Sequence, residues 1–140
     1  MVDTSPYRSF VTARAGGACE YCRLVEAGCG VTFHIEHIVP ICRQGCTTLS
    51  NLALSCPGCN LAKAGRVTAQ LFGGAESPLF NPRDYDPARL GWHLHFTLDR
   101  TSGVIAGRSA IGEVTVTTLD MNSSRRLFAR KLQLKAGLIS

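Results

Sequence analysis

No apolar run in this 140-residue sequence approaches the ~20 residues that a membrane helix requires, so no spanning segment is expected. The opening residues, MVDTSPYRSFVTARAGG, lack the ~7–15-residue apolar stretch of a secretory signal, and the expected location is the cytoplasm. There is no internal repeat and no low-complexity run, which excludes a repeat array. Charge is sparse: 18% charged against 45% apolar residues excludes intrinsic disorder as a description of the whole chain. What remains is a globular chain whose length buries one moderate core and hardly two. Fifteen Lys and Arg against ten Asp and Glu leave +5, a mild bias toward polyanionic partners. Seven cysteines are an odd number, and in a reducing compartment they do not make a disulfide framework. Metal ligation is the better first reading.

Residues 7–15 read as a short helix stopped by Gly16-Gly17, and 31–37 as a strand rich in β-branched and aromatic residues that runs toward Pro40. A polar loop follows over 43–51. Pro57 suits the first turn of a helix that continues through Asn60 and Lys63 to Gly65. Gly73-Gly74 and prolines 78, 82 and 87 mark a connector with little regular structure. Beyond it, 93–98, 104–106 and 113–119 read as three strands of a small antiparallel meander. Asn122 or Ser123 can cap a final helix with Leu127, Phe128, Leu132, Leu134 and Leu138 on one broad side.

Cys19-Glu-Tyr-Cys22 and Cys56-Pro-Gly-Cys59 are two C-x2-C pairs, and each can supply two corners of a tetrahedral zinc site. A site closed by four thiolates has no open position, so zinc there holds the fold. The competing readings are two unconnected pairs of reduced core thiols, or a redox C-x-x-C, for which the expected βαβ context is missing. The 33 residues between the pairs contain Phe33-His34-Ile35-Glu36-His37-Ile38-Val39-Pro40, and Asn60 follows the last cysteine. A carboxylate and an amide oxygen are hard donors, suited to Mg²⁺ or Mn²⁺. A histidine beside such a ligand is placed to take a proton from water. Glu36 and Asn60 are therefore the candidate ligands of a second ion, and His37 the candidate base.

These three separated motifs, continued by Asn51-Leu52-Ala53-Leu54-Ser55 and Asn60-Leu61-Ala62-Lys63, resemble the bacterial HNH endonucleases of the zinc-stapled ββα-metal type. The resemblance implies an α+β fold: a ββα-metal, treble-clef-like core over about 15–72, and an extension over about 78–140 that carries the meander and the final helix, all in one domain. It implies that Glu36 and Asn60 grip one divalent ion, that His37 is the general base, and that Asn51 pins the loop that orients His37. Asn60 stands where many members carry histidine, so the pattern reads H-N-N. Leu79-Phe80-Asn81-Pro82-Arg83 and residues 92–96 are similar to the C-terminal extension of a stand-alone subgroup. Gly45-Cys46 departs from the usual Gly-Gly, and a cysteine there would strain the loop if that position needs a positive φ.

By the same resemblance the expected activity is hydrolysis of DNA phosphodiesters, leaving 5′ phosphates, with double-stranded DNA as partner. Arg43, Lys63 and Arg66 flank the proposed site, where cations can hold phosphates or stand as solvated surface charge; Lys63, which sits in the family motif, is expected among the catalytic residues, with Lys63 or Arg43 assisting at the phosphate. His34 lies on the Glu36 face and reads equally as a third ligand, a phosphate contact or an exposed strand residue. No base-reading element is visible. Two alternatives stay open: a zinc-stapled nucleic-acid-binding module without turnover, and an RNA-directed nuclease. Cys29, Cys42 and Cys46 are unassigned.

Overall fold

Ser5–Tyr7 forms a single 3₁₀ turn with proline in its first positions and leads into helix α1, Arg8–Arg14. The computed structural model describes residues 2–84 and 91–140; Pro87 of the expected connector lies outside them. Val11 buries the inner face of α1, and Arg14 reaches across to the carbonyls of Leu49 (2.8 Å) and Leu52 (2.6 Å). After the first C-x2-C turn come strand β1, His34–His37, and strand β2, Leu52–Ser55. They pair antiparallel with His34 opposite Ser55 and His37 opposite Leu52. β2 is buried on both faces, whereas β1 leaves His34 exposed and His37 half-buried. Cys56 then caps helix α2, Pro57–Lys63, accepting the amide N–H of Cys59 at its own sulfur (3.4 Å). The order strand, loop, strand, helix is the ββα core that the motifs imply.

The loop between β1 and β2 is built around Asn51. Its Oδ1 accepts from the Val39 amide (2.9 Å), and its Nδ2 donates to the carbonyls of Val39 and Cys46 (both 2.9 Å). Gly45 lies so close under this bridge that a Cβ there would stand 1.8 Å from the Val39 carbonyl oxygen. Cys46 is not among the residues with positive φ; the left-handed residue of the loop is Gln44, at φ 70°. The expected strain at Cys46 is therefore absent.

The C-terminal part departs from the expected meander. Thr68–Ala69 (β3) and Ser77–Pro78 (β4) form a minimal antiparallel pair within the connector. Trp92–His95 is a helical turn, α3, so the expected strand over 93–98 begins only at Phe96. Phe96–Leu98 (β5) pairs with Ile105–Gly107 (β6). The third expected strand, 113–119, lies instead in helix α4, Ala110–Thr118. Its β-branched run looks like a strand, but Ser109 Oγ caps the helix by accepting the Gly112 amide (3.0 Å). Gly112 also lets α4 approach the end of α3 and strand β6, since a Cβ there would meet the His95 carbonyl oxygen at 1.9 Å and Gly107 Cα at 3.1 Å. Burial of Val114 and Thr115 and the cap outweigh a propensity deficit of a few tenths of a kcal/mol per residue.

The last helix, α5, is Ser124–Lys135, with Ser123 at its N-cap position. Its expected apolar side is only partly buried: Leu127 and Leu134 are half-buried. Phe128 is 65% and Leu132 51% exposed, while Arg130 and Gln133 are buried. One apolar cluster runs from Val11 and Phe33 through Leu52, Leu54 and Phe80 to Phe96, Val114 and Met121, so both parts of the chain share it. No helix among the described residues is long and apolar enough to cross a membrane.

Candidate active site and metal centre

The two C-x2-C turns bring Cys19, Cys22, Cys56 and Cys59 together, with all four sulfurs within 4.8 Å of one another and all four buried. Cys22 Sγ lies 3.6 Å from Cys56 Sγ, close to the ~3.8 Å edge of a tetrahedron of Zn–S bonds. Burial pushes the Cys19 thiol well up, while hydrogen bonds from neighbouring sulfurs hold Cys56 and Cys22 down. Four crowded sulfurs share protons poorly, and a metal ion resolves the conflict by replacing them. The donor set fits zinc. Among the described residues no second such cluster forms: Cys42 and Cys46 are exposed, and Cys29 lies 3.5 Å from Gln133 Nε2.

β1 and α2 together wall a cleft of about 310 Å³, lined by His34, Glu36, His37, Pro40, Ile41 and Asn60 among others. The ladder register and the Cys56 cap set this meeting. The second C-x2-C turn starts α2 one residue after β2, so Asn60 on its first full turn faces the strand that carries Glu36 and His37.

Glu36 is the most constrained residue of the cleft. The Tyr21 hydroxyl donates to its Oε1, and Lys63 Nζ stands 3.6 Å from its Oε2. Burial raises the Glu36 carboxyl above its ordinary range, with Lys63 and Tyr21 pulling it back. Burial also pushes the Tyr21 phenol well up, so Tyr21 stays a donor. Each carboxylate oxygen keeps a second lone pair, and with the Asn60 amide this hard donor set fits a divalent ion such as Mg²⁺ or Mn²⁺. His37 Nε2 lies 2.8 Å from Thr47 Oγ1, in the loop that Asn51 holds.

The sequence-predicted residues divide accordingly. Glu36, His37, Asn60 and His34 meet at the cleft, with His34 exposed. Asn51 stands behind it in the loop. Arg43 and Arg66 are exposed and do not line the cleft, though Arg66 follows Gly65, which does. Lys63, expected to face phosphate, points inward instead. It is 2% exposed, and Nζ donates to the Ile38 carbonyl (2.8 Å). Lys63 thus locks α2 to the end of β1 and balances Glu36. Lys63→Met leaves Glu36 buried without its cation, and a loss of about 3 kcal/mol of unfolding free energy is expected in urea denaturation. A change below about 1 kcal/mol would place Lys63 among the inconsequential charges.

Tyr21 and Thr47 are the site residues that sequence reasoning missed. Tyr21 sits inside the first C-x2-C turn, where only its cysteines carry a signal, and Thr47 has no local signature at all.

A ββα unit with a buried four-cysteine cluster at its base and an acid, a histidine and an asparagine at one cleft is the class that this fold and site define. Residues 19–66 match the family model described as HNH endonuclease. An HNH domain implies a nuclease-type function. No curated protein and no solved structure matched the chain.

Proposed function

We propose that the chain is a metal-dependent endonuclease that hydrolyses DNA phosphodiester bonds at the cleft between β1 and α2. The observation that carries this reading is the convergence of Glu36, His37 and Asn60 on one cleft. His37 Nε2 lies 2.8 Å from Thr47 Oγ1; in the tautomer that donates Nε2–H to this oxygen, the lone pair of Nδ1 takes a proton from the attacking water. Asn51 holds the loop that presents Thr47, and so sets the imidazole plane at one remove. Glu36 and Asn60 hold the divalent ion, whose chemistry when bound is to neutralise the phosphate and the leaving oxygen. Tyr21 and Lys63 hold the Glu36 carboxyl in place and oppose the rise that burial imposes on it. The structural zinc belongs at the four cysteines. Arg43, Arg66 and His34, all exposed near the cleft, supply phosphate contacts on duplex DNA, and the net charge of +5 favours the approach of a polyanion.

Supercoiled plasmid tests this reading. Cleavage is expected with Mg²⁺ or Mn²⁺ and none in divalent-free buffer, with zinc content verified in both samples. Asn60→Ala is expected to raise the ion concentration for half-maximal rate by at least roughly tenfold, the scale at which even outer partners of a metal count. Tight DNA binding with no product under any ion would favour a binding module, and cleavage confined to RNA would move the substrate class.

A further inference from the structure

The side chains that seat α5 are cationic and polar. Arg126 Nη1 donates to Cys59 Sγ at 3.1 Å, and its Nη2 donates to the carbonyls of Leu119 and Asp120, both at 2.5 Å. Arg130 is 0% exposed; it donates from Nε to the Gly103 carbonyl (2.5 Å), from Nη1 to the Cys22 carbonyl (3.4 Å) and from Nη2 to Asn122 Oδ1 (2.9 Å). One turn on, Gln133 brackets Val25, accepting its amide N–H (2.8 Å) and donating to its carbonyl (3.0 Å). The helix therefore grips both C-x2-C turns. Gly58 makes room for this, since a Cβ there would stand 2.9 Å from Arg126 Nε.

A buried guanidinium needs a counter-charge. The ion pairs among the described residues are Lys63–Glu36 and Arg83–Glu20, so neither Arg126 nor Arg130 has a carboxylate within ion-pair distance there. Arg126 lies against the Cys59 sulfur, and Arg130 reaches the same cysteine cluster through the Cys22 carbonyl. Zinc held by four thiolates carries a formal charge of about −2, which two guanidiniums cancel. Hydrophobic burial is only part of the docking, since Ala129 packs on the core cluster and Leu127 and Leu134 are half-buried, while Phe128 and Leu132 face outward.

We propose that Arg126 and Arg130 are the counter-charges of the zinc-loaded four-cysteine site, so that the bound metal docks the last helix and the helix in turn retains the metal. This rests on the assignment of zinc to the four cysteines. Outer partners of a metal typically change its affinity by ~10–100-fold.

Arg126 gives the cleaner test, since Arg130 is buried enough that its variants risk not folding. Zinc release from the full chain to a chromophoric chelator, and amide exchange of residues 124–135, are measured for wild type, Arg126→Gln and Arg126→Lys. Zinc is expected to leave Arg126→Gln at least roughly tenfold faster, and Arg126→Lys, which keeps the charge, at a rate between the two. In the zinc-loaded Arg126→Gln protein the α5 amides are expected to exchange faster while those of β1 and β2 stay protected. Unchanged zinc release and unchanged α5 protection overturn the counter-charge proposal alone. A wild-type protein that is folded without zinc overturns the zinc assignment beneath it.

Discussion

Stripping zinc from the purified protein is expected to unfold it. Cys19 and Cys22 leave α1, Cys56 and Cys59 open α2, and the β1–β2 hairpin with its loop spans the chain between them. An ion held by the four cysteines would close the base of the whole ββα unit. Structural zinc contributes about 10–16 kcal/mol of apparent binding energy in small domains, whereas a domain's net stability is only about 5–15 kcal/mol. Removing the first term leaves little of the second. The four sulfurs would also have to be buried as thiols against one another, with the guanidinium of Arg126 still beside Cys59. Metal analysis should find about one zinc per chain, and circular dichroism should show loss of structure when a strong chelator is added. Cys59→Ser should melt early or aggregate. A folded, cooperative sample that contains no zinc would refute the assignment.

His37→Ala is expected to lower plasmid cleavage by roughly 10²-fold or more, the scale of a missing general base. The residue is half-buried at the mouth of the cleft, and its side chain is bonded only through Thr47 Oγ1 among the described residues, so fold and DNA binding should survive. Thr47→Val separates the proton transfer from its positioning. It removes one hydrogen bond of about 1 kcal/mol, so a loss on the order of fivefold to tenfold in turnover is expected, with DNA affinity and melting temperature near wild type. Equal cleavage by His37→Ala and wild type, in preparations shown free of contaminating nuclease, would remove His37 from the mechanism. A Thr47→Val protein as impaired as His37→Ala would instead make the loop, rather than the proton, the critical element.

The two C-x2-C pairs, the acid–histidine strand and the asparagine after the last cysteine could be read from the sequence alone, because metal ligands and their caps act over short spacings. A C-x2-C turn is local, Pro57 at the start of a helix is local, and the alternation of β1 is local. The zinc-stapled ββα core follows from those pieces in order. What the chain does with its cations was decided by tertiary structure. Lys63 occupies a motif position yet turns inward, because the buried Glu36 carboxylate and the Ile38 carbonyl are better partners than solvent. Tyr21 and Thr47 enter the site only once the register of β1 on β2 and the Asn51 bridge exist. The run 113–119 has the composition of a strand, but a serine cap and the close approach of Gly112 to the β5–β6 hairpin make it a helix. The last helix shows an apolar side in its sequence, and the structure turns its arginines inward instead. A hydrophobic pattern predicts burial against a generic core, whereas the arginines of α5 meet the Cys59 sulfur and the carbonyls of Cys22, Gly103, Leu119 and Asp120, a surface where guanidinium groups are the complementary side chains.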